Sequence, residues 1–394
     1  MLILKNCRFV PFLTEGTDLT QGDVLLDGHT IARIAPPDTD FGADAPVLNL
    51  KGKTLLPGLI DMHVHLCMYD DADIVGGAGT LISPCDWTIN AVNYAQALLD
   101  AGFTTVRDMG DVDCLPAKYV RDAINKGRLT GSRIFTSGPI IESSWTDSTT
   151  MGCLADGPME FRKAARMTMA RGADFLKLYG SGSLLMPSNE PGYPIIEPEE
   201  IREAVTQARQ NSTYVAIHAH GATAIDMAAH EGVHTIEHAS MIREDTLAYI
   251  EDHYEEIGLV PTLYAFNGIL EAPDTPNGVR AHKLLKQIVS SLKSACNQHR
   301  VQIGWGTDVG LKIFEQDPMK EFRLRKEMLD CSNEDILRQA TIGSARLMYL
   351  DDQLGSIREG KLADLIVVDG DPLADISVLY RKPDHVLKEG VLIR

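Results

Sequence analysis

Residues 57–65 read Pro57-Gly58-Leu59-Ile60-Asp61-Met62-His63-Val64-His65, a turn and an apolar run that ends in two histidines two residues apart. Such a run is a buried strand whose carboxyl end turns chemical. Side chains alternate faces along a strand, so His63 and His65 point the same way, spaced as two imidazole ligands of one cation would be. Paired histidines also occur in cores that hold no metal, solvated or hydrogen-bonded. Further histidines and an aspartate at later strand ends share no structural explanation, and they make a metal site the first expectation.

Working outward, strand-like runs followed by helix-like patterns recur, the signature of a parallel sheet with crossover helices. Eight strands are predicted, at 59–64, 103–107, 133–137, 174–179, 214–218, 233–237, 258–262 and 301–306. Helices are predicted between them, for example over 198–210, 225–231 and 333–349, the last with Ser332 as N-cap ahead of Glu334 and Asp335. Eight such units predict an α/β fold, a TIM-like (β/α)8 barrel. The two ends of the chain differ from this middle. Short apolar runs alternate with turns, and Asp27-Gly28 signals a hairpin. Asp364-Leu365-Ile366-Val367-Val368 and Val391-Leu392-Ile393 have the same character. One discontinuous β-sandwich domain, 1–56 plus 350–394, is therefore expected beside a catalytic barrel of 57–349.

The 394 residues suffice for a barrel of about 250 residues and a smaller domain. With 37 basic and 55 acidic residues the net charge is −18, which disfavours nucleic acid and anionic membrane as partners and fits a cytoplasmic protein. Seven scattered cysteines include no Cys-x-x-Cys pair, which argues against disulfides and a zinc ribbon. The first thirteen residues read as a strand rather than a signal peptide, and no run approaches the length of a membrane span.

In barrels of this type chemistry sits at the carboxyl ends of the strands. There the first strand offers His63 and His65, the fourth Lys177, the fifth His218, the sixth His238 and the eighth Asp308. Four imidazoles, a lysine and a carboxylate converge on one rim. An ammonium among cations would be repelled, and its burial in an apolar strand unfavourable, unless a carboxylate paired it. Carbamylation by carbon dioxide offers the alternative, an anion with two oxygens able to bridge two metals.

The chain resembles the amidohydrolase superfamily, almost from end to end. The motifs are Pro-Gly-Leu-Ile-Asp-Met-His-Val-His at 57–65, Ile236-Glu237-His238, Gly306-Thr307-Asp308 and the tail Leu354-Gly355-Ser356-Ile357-Arg358-Glu359-Gly360-Lys361-Leu362-Ala363-Asp364-Leu365-Ile366-Val367-Val368. The resemblance to the binuclear branch implies two divalent metal ions, with zinc expected. It implies His63, His65 and Asp308 on the first, His218 and His238 on the second, and a carbamylated Lys177 bridging them. His220, in Ile217-His218-Ala219-His220-Gly221, is left to touch substrate or to buttress the site. The mononuclear deaminase branch often carries a glutamate where this chain has Gly221.

Gly172-Ala173-Asp174-Phe175-Leu176-Lys177, His218-Ala219-His220-Gly221 and Val260-Pro261-Thr262-Leu263-Tyr264 are similar to the prolidase-like group, related to imidazolonepropionase, which includes Xaa-Pro and Xaa-Arg dipeptidases. The expected partner is thus a small-molecule or dipeptide substrate, with Tyr264 a candidate contact, and a homo-oligomer is expected. One departure stands out. Where that group has Gly-Gly-His after the third strand, to hold the substrate carboxylate, this chain reads Ser144-Trp145-Thr146-Asp147-Ser148-Thr149-Thr150-Met151-Gly152-Cys153. The group's Ser-Gly-Gly after the lysine is Ser181-Gly182-Ser183, a milder change. The resemblance implies cleavage of an amide or peptide C–N bond of a dipeptide or N-acyl amino acid by a metal-bridging hydroxide, with Asp308 as general base and acid. Rival expectations are a deaminase or a cyclic amide or lactone hydrolase on the same scaffold, and a noncatalytic scaffold.

Overall fold

The computed structural model describes all residues except 43, 70–82, 147–151, 183–191, 272 and 299. Its centre is a barrel of eight parallel strands. They are β1 (Leu59–Val64), β2 (Phe103–Asp108), β3 (Arg133–Thr136), β4 (Leu176–Tyr179), β5 (Val215–Ala219), β6 (Thr235–His238), β7 (Gly258–Val260) and β8 (Gln302–Ile303). β1 to β3 pair in sequence order, as do β4 to β8. Backbone bonds beyond the ladders join the two sets: Met62 N donates to Trp305 O at 2.7 Å, and Asp174 N to Thr136 O at 2.8 Å. Every residue of β1 and β2 is buried, as expected of strands covered on both faces.

All eight predicted strands are present, most of them shorter than their sequence patterns. Two short strands escape the pattern: Ile140–Glu142 pairs with β4, and Gly152–Leu154 pairs with Ile140–Glu142. The predicted helix over 198–210 is Pro198–Gln210, and that over 225–231 is Ala222–His230. Ser332 caps the last helix as expected, accepting from Asp335 N at 3.0 Å. That helix is not continuous, however. Gln339–Gly343 widens into a π-turn, where Ser344 Oγ donates to Gln339 O at 2.6 Å and accepts from Trp305 N at 3.0 Å. The serine thus diverts one helical carbonyl in order to fasten the helix to the barrel.

Strands from both termini share one mixed sheet, in which Leu365–Val368 runs antiparallel to Thr54–Pro57. The sheet has a core of its own, including Leu4, Phe9, Val24, Leu55, Leu365 and Leu387. Asp27-Gly28 turns the chain between Gln21–Asp27 and Thr30–Ala35, with Gly28 at φ 55°. Thr54–Pro57 passes directly into β1 through Gly58. A Cβ at Gly58 would stand 2.2 Å from Thr104 Oγ1, so only glycine fits this junction. Among the described residues no helix is long and apolar enough to cross a membrane.

Candidate metal centre

The strand ends bring two sets of three ligand-capable side chains together: His63, His65 and Asp308, and His218, His220 and His238. In each set the candidate ligand atoms lie within 4.8 Å of one another. The sets adjoin, since the rings of His63 and His238 are 4.9 Å apart between centroids and His238 Nδ1 is 3.9 Å from Asp308 Oδ2. Lys177 is 2% exposed on β4, close enough to feel the charges of Glu237 and Asp308. Five of the six expected ligands therefore meet, and Lys177 lies within range of their charges. His220 joins the second set, with its Nδ1 2.7 Å from Ser240 Oγ.

Hydrogen bonds orient these rings. His63 Nδ1 lies 2.9 Å from Glu237 Oε2, and this carboxylate also accepts from Arg107 Nη2 at 2.8 Å and Thr235 Oγ1 at 2.7 Å. A proton on Nδ1 satisfies Glu237 and leaves Nε2 of His63 an acceptor. That nitrogen faces a second acceptor, Asp308 Oδ1, at 3.4 Å, and His65 Nε2 faces the same oxygen at 3.4 Å. With the proton of His63 committed to Glu237, two acceptors, His63 Nε2 and Asp308 Oδ1, face each other and mark a place for a cation. On the other side His238 Nδ1 is 2.7 Å from Thr262 Oγ1, and its buried Nε2 has no hydrogen-bond partner. Neither has the buried Nε2 of His218. Such orphaned nitrogens are rare in protein interiors, and metal ligation accounts for them.

The electrostatics agree with a ligand set. Burial pushes His63 and His220 down to about 4 and takes His218 and His238 well below the usual histidine range, so all four are neutral at pH 7. Burial raises the Asp308 carboxyl, but His63, His65 and Lys177 hold it below its ordinary value, and it stays ionised. Burial lowers Lys177 to about 8 against the pull of Glu237 and Asp308, which makes a neutral amine accessible near physiological pH. His238, Ala239 and Asp308 have φ of 67°, 49° and 55°. Left-handed backbone at non-glycine residues stores strain, and here it falls at two of the candidate ligand positions.

Sequence reasoning named Ile236-Glu237-His238 without a role for Glu237, and ended a strand at Arg107 without asking what it met. Both are fully buried. Arg107 also donates Nε to Met62 O at 2.7 Å and lies 5.3 Å from the Phe175 ring centre. A charged residue inside an otherwise apolar strand was the available signal. Tyr264 is packed in the core with its hydroxyl donating to Ile313 O at 2.8 Å. Asp147-Ser148-Thr149-Thr150-Met151, the centre of the divergent loop, lies outside the described residues, as does Ser183.

Comparisons with known proteins converge on this picture. The model of a family described as the amidohydrolase family matches residues 54–393. Ochratoxinase of Aspergillus niger is 25% identical over 376 residues, covering 86% of this chain and 75% of that protein. A Xaa-Pro dipeptidase solved with methionine in its active site superposes with a TM-score of 0.88 at 29% identity, covering 100% of this chain and 99% of the other. A prolidase complexed with N-methylphosphonate-L-proline gives 0.86 at 28% identity, with 100% and 99% covered.

Proposed function

The chain belongs to the amidohydrolase family, hydrolases of carbon–nitrogen bonds, and from that premise we propose that it cleaves the amide bond of a small substrate of the dipeptide or N-acyl amino acid class with two divalent metal ions. One observation carries the reading: two adjoining sets of ligand-capable side chains, partly orphaned, in which His63, His218, His220 and His238 are neutral. His63, His65 and Asp308 would hold one ion, and His218 and His238 the other. The nitrogen-rich donor set suits zinc. Lys177 would join as a carbamate, its neutral amine adding to carbon dioxide with loss of a proton.

When bound, the two ions would supply Lewis acidity toward the scissile carbonyl and a water acidic enough to ionise near neutral pH. Asp308, ionised and beside both sets, takes the proton that this water gives up and passes it to the departing nitrogen. Glu237 and Thr262 hold the His63 and His238 rings in the tautomers that this work needs. His220, fastened to Ser240, is assigned to the substrate. Tyr264 reaches substrate only if its bond to Ile313 opens. A deaminase would need an acid where Gly221 stands, and a Cβ there would lie 1.8 Å from Gly192 Cα, which leaves no room for a glutamate.

Asp308→Asn tests the acid-base role. Turnover of dipeptides or N-acyl amino acids is expected to fall about 10²-fold or more while much of the metal is retained. Comparable turnover at full metal loading sinks the assignment.

A further inference from the structure

Arg107 and Glu237 are matched by a second buried ion pair to which the proposed chemistry gives no role. Arg325 and Glu321 stand one turn apart on the helix Lys320–Leu329, both fully buried, with Arg325 Nε 2.7 Å from Glu321 Oε1. Burying two ions is unfavourable unless their other hydrogen-bonding groups are also satisfied, so the partners of those groups are informative.

Arg325 reaches three other parts of the barrel. Its Nη2 donates to Pro261 O at 2.8 Å, and its Nη1 donates to Gly304 O at 3.0 Å and to Gln339 Oε1 at 2.6 Å. The guanidinium lies over the Trp305 ring, 4.6 Å from its centre. Glu321 Oε2 accepts from the backbone N–H of Tyr264 at 2.8 Å.

Pro261 and Gly304 are the first residues past β7 and β8. These strands pair at two positions, Gly258 with Gln302 and Leu259 with Ile303, and Gly304 N extends the ladder by a bond to Leu259 O at 2.8 Å. Pro261 has no N–H with which to continue it. The planar fork of Arg325 takes over where the ladder stops, and it joins two carbonyls that cannot bond to each other.

Both strand ends lead to the metal centre, but they are held unequally. Beyond Gly304 the chain to Asp308 has anchors of its own. Trp305 N donates to Ser344 Oγ at 3.0 Å, Thr307 N and Oγ1 donate to Asp61 at 3.2 and 2.7 Å, and Asp308 N donates to His63 O at 2.8 Å. Thr262, whose Oγ1 is 2.7 Å from His238 Nδ1, instead lies between the two contacts of the buried pair, Pro261 O on Arg325 and Tyr264 N on Glu321. An imidazole is oriented only as firmly as the group it bonds to is fixed.

We propose that Arg325 and Glu321 are positioning residues for the β5–β6 half of the metal centre: they fix Thr262, Thr262 fixes the His238 ring, and the ring sets the affinity of that half for its ion. The inference rests on the two-metal reading of the centre. A pair that merely stiffened the barrel would weaken both ions alike or neither.

Chelator competition on the zinc-loaded protein reads the two ions separately, and the ion of the β5–β6 half is the one that Thr262→Val weakens in the native chain. Arg325→Lys keeps the charge and loses the fork. It is expected to weaken that ion about tenfold and the other by no more than about twofold. A double-mutant cycle shows whether the effect passes through Thr262. Thr262→Val should cost about tenfold in the native chain but less than about twofold in the Arg325→Lys background, where the brace it removes is already loose. Should Arg325→Lys fail to fold, Glu321→Gln takes its place, with the same selectivity and the same cycle expected. Equal weakening of both ions, no weakening of either, or losses that multiply in the double variant overturn the inference and leave the two-metal centre standing. A native chain that shows a single class of ion defeats the two-metal reading, and the inference with it.

Discussion

His63 and His238 stand 4.9 Å apart between ring centroids, yet the protein holds them by different means. His63 leans on the ionised Glu237, which is itself anchored by Arg107, whereas His238 and His220 lean on the neutral hydroxyls of Thr262 and Ser240. A carboxylate acceptor raises the basicity of an imidazole more than a hydroxyl does. The half built from β1 and β8 should therefore grip its ion harder than the half built from β5 and β6. A two-metal centre with one firm and one exchangeable ion keeps its frame while the other position admits substrate.

Acid breaks both halves together, and its effect is expected to be the largest. His63 and His220 sit at about 4 when folded and near their ordinary 6.5 when unfolded. Between those values the unfolded chain binds more protons, so stability rises with pH across the window and is lost on acidification through it. His218 and His238 shift in the same direction. Calorimetry of the metal-free protein should show Tm falling as pH goes from about 6.5 to about 4, and a flat profile would refute the neutral-imidazole assignment.

Glu237→Leu comes next, because it strands Arg107 without its partner in the barrel interior. Urea unfolding should report a loss of about 3–5 kcal/mol. Glu237→Gln keeps the shape and removes the charge, making the two halves alike. Chelator competition should then show the firmer ion weakened by about 10–100-fold. Thr262→Val is the smallest step, with about a tenfold loss confined to the exchangeable ion. If Thr262→Val weakens binding as much as Glu237→Gln does, the distinction between charged and neutral braces fails.

The two halves also differ in how far the sequence reveals them. Alternation along β1 predicts that His63 and His65 point the same way, and their ligand-capable atoms do lie within 4.8 Å of each other, although the pairing of β1 with β2 is irregular between Asp61 and Val64. Alternation along β6 would place Glu237 and His238 on opposite faces. The left-handed φ of 67° at His238 turns its ring back into the site, and no local pattern foretells that. Its place at the end of the sixth strand makes His238 a candidate, which the alternation of side chains alone would not. The partnership of Arg107 with Glu237 joins residues 130 positions apart across the barrel, beyond the reach of any local periodicity. The π-turn at Gln339–Gly343 was hidden for a related reason: its helical pattern continues, while the cause lies in a bond to Trp305. What local chemistry sets was readable, and what closure of the barrel sets was not.

Metal content per chain is the most direct measure of whether the two halves form one centre. Protein reconstituted with zinc, desalted and assayed by plasma mass spectrometry should hold two equivalents. Replacing His218 and His238 together by alanine should leave one equivalent, on the Glu237-braced half. A native chain that saturates at one equivalent or fewer contradicts the two-metal centre.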